Sequence, residues 1–149
     1  MGFKVYTAGK MGGLSQEEAM SWRTSLEHLI RVNIELTHPK GVDVTFIHPP
    51  LYYSYEEQRE KSAREMILWE INQIYQSDVV AVNLTGVLTS VGTLMELGAI
   101  QAINQSTAKY ISVIGIGGEC AYPWVNEVLL RREDTIEDAA RYIAEYNLV

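Results

Sequence analysis

Val79 to Leu84 reads Val-Val-Ala-Val-Asn-Leu, an almost unbroken apolar and β-branched run. A strand with one wet face alternates polar and apolar side chains, whereas a strand without alternation is covered on both faces, as in a parallel sheet clothed by helices. The flanking segments fit that demand. Phe3–Ala8 (FKVYTA) reads as a first strand running into Gly9 and the Gly12-Gly13 turn, and Val42–Ile47 (VDVTFI) as a second, stopped by Pro49-Pro50. Tyr110–Ile116 (YISVIGI) reads as a fourth strand, and Val128–Leu130 as a short fifth.

Helices are expected between the strands. Ser15 with Glu18 forms a capping box that starts a helix at Gln16, with a stripe of Met20, Leu26, Leu29, Ile30 and Ile34, fading before His38-Pro39. Ser54 with Glu57 is a second such box, and it is expected to open a long helix carrying Ala63, Met66, Ile67, Ile71, Ile74 and Tyr75. Gly92–Ile103 reads as a helix of small and apolar residues, and Tyr122-Pro123-Trp124 as the start of an irregular helical stretch. Thr135 caps a last helix striped with Ile136, Ala139, Ala140, Ile143 and Ala144. Strands alternating with helices imply parallel strands joined by right-handed crossovers. The expected fold is therefore α/β and doubly wound: a flavodoxin-like five-stranded sheet in the order 2-1-3-4-5. At 149 residues, with 47% hydrophobic and 21% charged, residues 1–149 read as one ordinary globular domain.

Charge and cysteine usage narrow the functional classes. Twelve basic residues against nineteen acidic give a net charge of −7, with no Lys/Arg cluster, so no nucleic-acid partner is expected. Cys120 is the lone cysteine, no Cys/His spacing suits zinc, and His28, His38 and His48 read as surface or loop residues. No apolar run approaches the roughly 20 residues of a membrane span, and MGFKVYTAG lacks the layout of a signal peptide. A cytoplasmic protein that meets no membrane is expected.

In sheets of this kind ligands sit at the carboxyl ends of the strands, where the strand order reverses. That rule selects Tyr6–Gly13 after strand one and Thr85–Glu96 after strand three. The first is glycine-rich yet matches neither G-x-G-x-x-G nor a P-loop. The second places Glu96 one turn inside a helix among Leu94, Met95, Leu97 and Ala99, where a carboxylate is costly unless paired or used. On composition alone, a solvated glutamate and a glycine turn remain open for these two segments.

Tyr6 at the end of strand one, Asp78-Val-Val-Ala-Val at strand three and Gly92-Thr-Leu-Met-Glu96-Leu-Gly98 together resemble the nucleoside 2-deoxyribosyltransferases and the related 2'-deoxynucleoside 5'-phosphate N-hydrolases. The resemblance follows the element order over most of the chain, while its specific motifs cover about a third. It implies that Glu96 attacks C1' of the deoxyribose and that Tyr6 orients it. It also implies a substrate-handling carboxylate at Glu70, where the family usually has aspartate eight residues before Asp78. At Ser90, six residues before Glu96, the transferases commonly carry aspartate and the phosphate-accepting hydrolases serine. Gly9, Lys10 and Gly92 fall in the two loops as substrate-binding candidates, and Asn126 matches a family asparagine that reaches the sugar from a neighbouring subunit. Tyr52, Tyr53 and Tyr55 offer a face for base stacking or for loop packing, Asp78 a structural role at the strand-three entrance, and Trp69 with Met66 core or subunit interface. The implied partners are 2'-deoxynucleosides, free purine or pyrimidine bases and further copies of the chain; no cofactor and no metal are implied.

The expected activity is thus base exchange on 2'-deoxynucleosides through a deoxyribosyl-glutamate ester. Hydrolysis of deoxynucleoside 5'-monophosphates is the nearest alternative, and a noncatalytic nucleotide-binding module a further one. The absence of arginine from both loops favours unphosphorylated substrates, since phosphate sites usually gather Arg or Lys beside hydroxyls.

Overall fold

The computed structural model describes residues 2–52 and 62–148. Five strands, β1 (Phe3–Ala8), β2 (Val44–Ile47), β3 (Val79–Asn83), β4 (Ser112–Ile116) and β5 (Arg131–Glu133), form one all-parallel sheet in the order β2-β1-β3-β4-β5. The expected doubly wound sheet is what the chain forms. In register, Tyr6 stands between Ile47 of β2 and Val80 of β3, and Ala8 lies beside Val82.

Side chains on a strand alternate between the two faces. Val5, Val79, Ala81 and Ile114 therefore pack under α1 (Gln16–Thr37) and α5 (Ile136–Tyr142), while Tyr6, Ala8, Val80 and Val82 pack under α2 (Ala63–Tyr75), α3 (Val91–Ser106) and α4 (Pro123–Val128). Because β3 contributes equally to both cores, its sequence shows no alternation. The α1 capping box forms as the sequence indicates: the Glu18 amide donates to Ser15 Oγ, and the Ser15 amide to Glu18 Oε1, each at 3.1 Å. Thr135 caps α5 in the same manner, accepting from the Asp138 amide.

Three expectations change. The second helix starts at Ala63, because Ser62 accepts from the Glu65 amide at 3.2 Å and so supplies the N-cap; Ser54 and Glu57, expected to open it, lie outside the described residues. The fifth strand is Arg131–Glu133 and not Val128–Leu130. Val128 closes α4, and β5 pairs only with β4, so this edge strand can be polar without leaving a buried face unfilled. Finally, His48 is neither surface nor free loop. It is buried behind β1, with Nδ1 2.8 Å from Thr7 Oγ1 and Nε2 2.8 Å from Glu27 Oε1. His38 caps α1 and bonds the Ala144 carbonyl, and His28 is exposed.

Candidate active site

Beyond the paired carboxyl ends of β1 and β3, where the strand order reverses, a cleft of about 500 Å³ opens. The loop after β1 supplies Gly9, Lys10 and Gly12 to it, α2 supplies Met66 and Glu70, and the start of α3 supplies Ser90, Gly92, Thr93 and Glu96. Seven of the residues singled out in the sequence thus line one cavity or bond to it: Tyr6, Gly9, Lys10, Glu70, Ser90, Gly92 and Glu96.

Tyr6 and Glu96 make the central contact. The Tyr6 hydroxyl donates to Glu96 Oε2 at 2.6 Å, with Tyr6 wholly buried and Glu96 only 7% exposed. Placing a carboxyl group among Leu97, Val82 and their neighbours disfavours its charged form. Burial, reinforced by the neighbouring Glu70 carboxylate, pushes the Glu96 carboxyl up to about 8, against the opposing pull of the Tyr6 bond and the Arg23 guanidinium. A carboxyl group poised near neutrality at the closed end of a cleft marks a reactive site more often than a structural one.

The rim is rich in hydroxyls. Ser90 occupies the N-cap position of α3, yet its hydroxyl pairs with Thr93 Oγ1 at 2.7 Å and does not cap the helix. Lys10 Nζ reaches Thr89 Oγ1 at 3.4 Å from the opposite loop. Gly92 lines the cleft and has open space where a Cβ would stand.

Asn126 is not brought to this cleft within its own chain. Its amide is spent on the Cys120 backbone, accepting from the N–H at 3.1 Å and donating to the carbonyl at 2.7 Å, and it borders a separate hollow near β5. Asp78 is structural, as expected, with Oδ2 accepting from the Lys4 amide at 2.9 Å. Tyr52 packs on Trp69 with ring centroids 4.7 Å apart, while Tyr53 and Tyr55 lie outside the described residues.

Arg23 is the residue that sequence reasoning missed. It is 0% exposed, its Nη2 donates to the Gly9 carbonyl at 3.2 Å, its Nε to Thr7 Oγ1 at 3.2 Å, and its Nη1 to the Ala19 carbonyl. The signal was present in helical spacing: Ala19, Arg23, Leu26 and Ile30 fall on one buried stripe of α1.

Fold and site together define a doubly wound α/β protein with a hydrogen-bonded, partly neutralised glutamate at its switch-point cleft. Two solved structures share this architecture across nearly the whole chain. One is a conserved protein from Enterococcus faecalis V583, with a TM-score of 0.68 at 18% identity, covering 96% of this chain and 98% of that one. The other is the 2-deoxyribosyltransferase of the psychrotolerant bacterium Bacillus psychrosaccharolyticus, with a TM-score of 0.60 at 16% identity and coverage of 93% and 91%. No protein-family model matches the chain, and no curated protein sequence matches it significantly. The fold of the family resembled in sequence is therefore the fold this chain adopts.

Among the described residues no group of three His, Cys, Asp or Glu side chains is arranged to hold a metal ion, and no helix is long and apolar enough to cross a membrane.

Proposed function

We propose that the protein is a nucleoside 2-deoxyribosyltransferase that exchanges the base of 2'-deoxynucleosides through an ester on Glu96. The observation that carries this reading is the 2.6 Å bond from Tyr6 to Glu96 at the closed end of the cleft. It is supported by the likeness in fold to a 2-deoxyribosyltransferase.

The steps follow from the groups present. The proton that Glu96 carries passes first to the neighbouring Glu70. A Glu96 carboxylate oxygen then attacks C1' as the C1'–N bond breaks, and the bond's electron pair leaves with the base nitrogen, which takes that proton from Glu70. The carboxylate stabilises the developing oxocarbenium charge and then captures it. Tyr6 holds the attacking group in line and favours its ionised form. An acceptor base then attacks C1' from the face the first base left, Glu96 departs as carboxylate, and the proton of the incoming base returns to Glu70. Two displacements retain configuration, as in retaining glycosidases. With Glu96 held partly neutral in the empty cleft, Glu70 is the carboxylate beside it through which protons pass.

A second reading is N-glycosidase action on deoxynucleoside 5'-monophosphates. It is favoured by the uncapped start of α3 and by Lys10 beside Thr89, since helix N-termini, lysine and hydroxyls all suit a phosphate. A noncatalytic binding module is the outcome if neither reaction occurs. Incubating the protein with deoxyadenosine and a second purine distinguishes them: a new deoxynucleoside supports exchange, free deoxyribose supports hydrolysis, and binding without product leaves only the module.

The homo-oligomer belongs to the same reading. It is supported by the uncovered apolar side of α3, where Val91, at the cleft rim, is 70% exposed and Met95, one turn on, is also exposed. Sedimentation velocity of the wild type is expected to show a species larger than one chain.

A further inference from the structure

We propose that Arg23 is a positioning residue of this cleft: by holding the Gly9 carbonyl on the α1 side of the sheet, it turns the Lys10 N–H toward the cleft as a donor to the substrate. This rests on the functional reading above and extends it to a residue outside the cavity lining.

The geometry is as follows. Glu96 and Glu70 come from helices on one face of the sheet, and Arg23 comes from α1 on the other. The described chain holds no cis peptide bond, so the Gly9 carbonyl and the Lys10 N–H point in opposite directions across one planar unit. With Arg23 Nη2 3.2 Å from the Gly9 oxygen, the carbonyl is committed to the guanidinium, and the N–H of the same unit points away from it, at a residue that lines the cleft. Close packing fixes the unit. A Cβ on Gly9 would fall 2.9 Å from Trp22 Cζ2 and 3.5 Å from Arg23 Nη2, and the guanidinium lies 4.6 Å from the Trp22 ring centroid. Were the peptide flipped, the cleft would be offered a carbonyl oxygen beside Glu96 and Glu70, which is repulsive toward any electron-rich atom of a base or sugar.

The guanidinium is itself anchored. Thr7 Oγ1 accepts from Arg23 Nε and lies against His48 Nδ1, and His48 Nε2 reaches Glu27, which also bonds Arg31. Burial lowers the His48 pKa, outweighing the Glu27 bond that raises it, so at neutral pH the imidazole is neutral and donates from Nε2 to Glu27. The line from Gly9 to the surface therefore has a donor and an acceptor at every link. Arg23 also acts on Glu96 by its charge, beside Tyr6 from β1 and Glu70 from α2, while Lys10 from the first loop lines the same cleft with its ammonium at Thr89.

The test uses the full chain with Arg23→Lys and Arg23→Met, each checked for folding by circular dichroism. Arg23→Lys keeps the charge but cannot span Gly9, Thr7 and Ala19 together. It is expected to raise KM for deoxyadenosine by a factor of about five to ten, as for one lost hydrogen bond, while the Glu96 carboxyl, followed by carbon-13 NMR without substrate, titrates as in wild type. Arg23→Met is expected to raise KM likewise and to move that titration to higher pH. Unchanged KM in both folded variants overturns the proposal and leaves Arg23 a brace for the fold. If Arg23→Met does not fold, the KM of Arg23→Lys decides alone. If wild type turns over no deoxynucleoside, the functional reading fails by itself, and the dissociation constant for deoxyadenosine replaces KM in the same comparison.

Discussion

Tyr6 and Glu96 are separated by 90 residues of sequence and joined by one 2.6 Å hydrogen bond. Neither could make it without the sheet: β1 fixes the tyrosine between β2 and β3, and the crossover after β3 returns α3 over the same face. The bond opposes the burial that keeps Glu96 neutral, so it matters for both the position and the charge of the attacking group.

Tyr6→Phe keeps the ring packing and deletes that bond. A hydrogen bond to a charged group is worth about 1.5–3 kcal/mol, so kcat/KM at pH 7 should fall roughly ten- to a hundredfold, with the Glu96 titration moving further up. Steady-state kinetics and the carboxyl titration check it; a rate within twofold of wild type would make Tyr6 only a strand residue.

The pH dependence follows from the same carboxyl. Attack uses the Glu96 carboxylate while base departure draws the pair's one proton through Glu70, so kcat/KM should fall about tenfold per pH unit once that proton is lost above about 8. Glu70 raises the Glu96 pKa, so Glu70→Gln should shift that limb to lower pH even as it slows base departure. A limb that stays in place in Glu70→Gln would separate the two carboxylates.

Stability should carry the matching signature. The folded-state pKa of Glu96 lies above its ordinary value, so its contribution is fully present below about 4.5 and is lost as pH rises through about 8. Glu96→Gln cannot ionise. Relative to wild type it should gain stability with rising pH across that window, by up to ~1.4 kcal/mol per unit, while losing turnover. Thermal melts of both proteins at pH 6 and about pH 9 read the difference directly; a constant gap would show that Glu96 is not neutralised by burial.

Substrate choice turns on the rim. Lys10 is the only cationic side chain among the described residues lining the cleft, against two glutamates. Deoxyadenosine should therefore have a higher kcat/KM than its 5'-monophosphate. Ser90→Asp should be tolerated with the nucleoside but should weaken the monophosphate sharply, since charges ~4 Å apart at an effective dielectric of 20 repel by about 4 kcal/mol. A preference for the monophosphate in wild type would promote the hydrolase reading.

Much of this was legible because both-face burial writes itself into β1, β3 and β4 as apolar runs, and because Ser15 and Thr135 carry their capping partners three residues on. β5 was misplaced because an edge strand has no buried face to advertise, and Val128–Leu130 is the more apolar neighbour. The described second helix is capped by Ser62–Glu65, a Ser-x-x-Glu pair that follows the Ser54–Glu57 box, and that earlier box lies outside the described residues. Glu96 and Tyr6 could be named from the switch-point rule and the family resemblance. Arg23 and His48 could not be placed by residue type, since a charged side chain reads as solvated until its partners, Gly9, Thr7 and Glu27, are assembled from distant segments.

The account stands most directly on the ester. Wild-type protein mixed with deoxyadenosine without acceptor, quenched in acid within the first turnover and digested, should yield the peptide containing Glu96 heavier by one deoxyribosyl group. The adduct should vanish when a second purine is added before the quench, with the new deoxynucleoside appearing in its place. Release of adenine with no adduct on that peptide, or an adduct on another residue, would contradict Glu96 as the nucleophile.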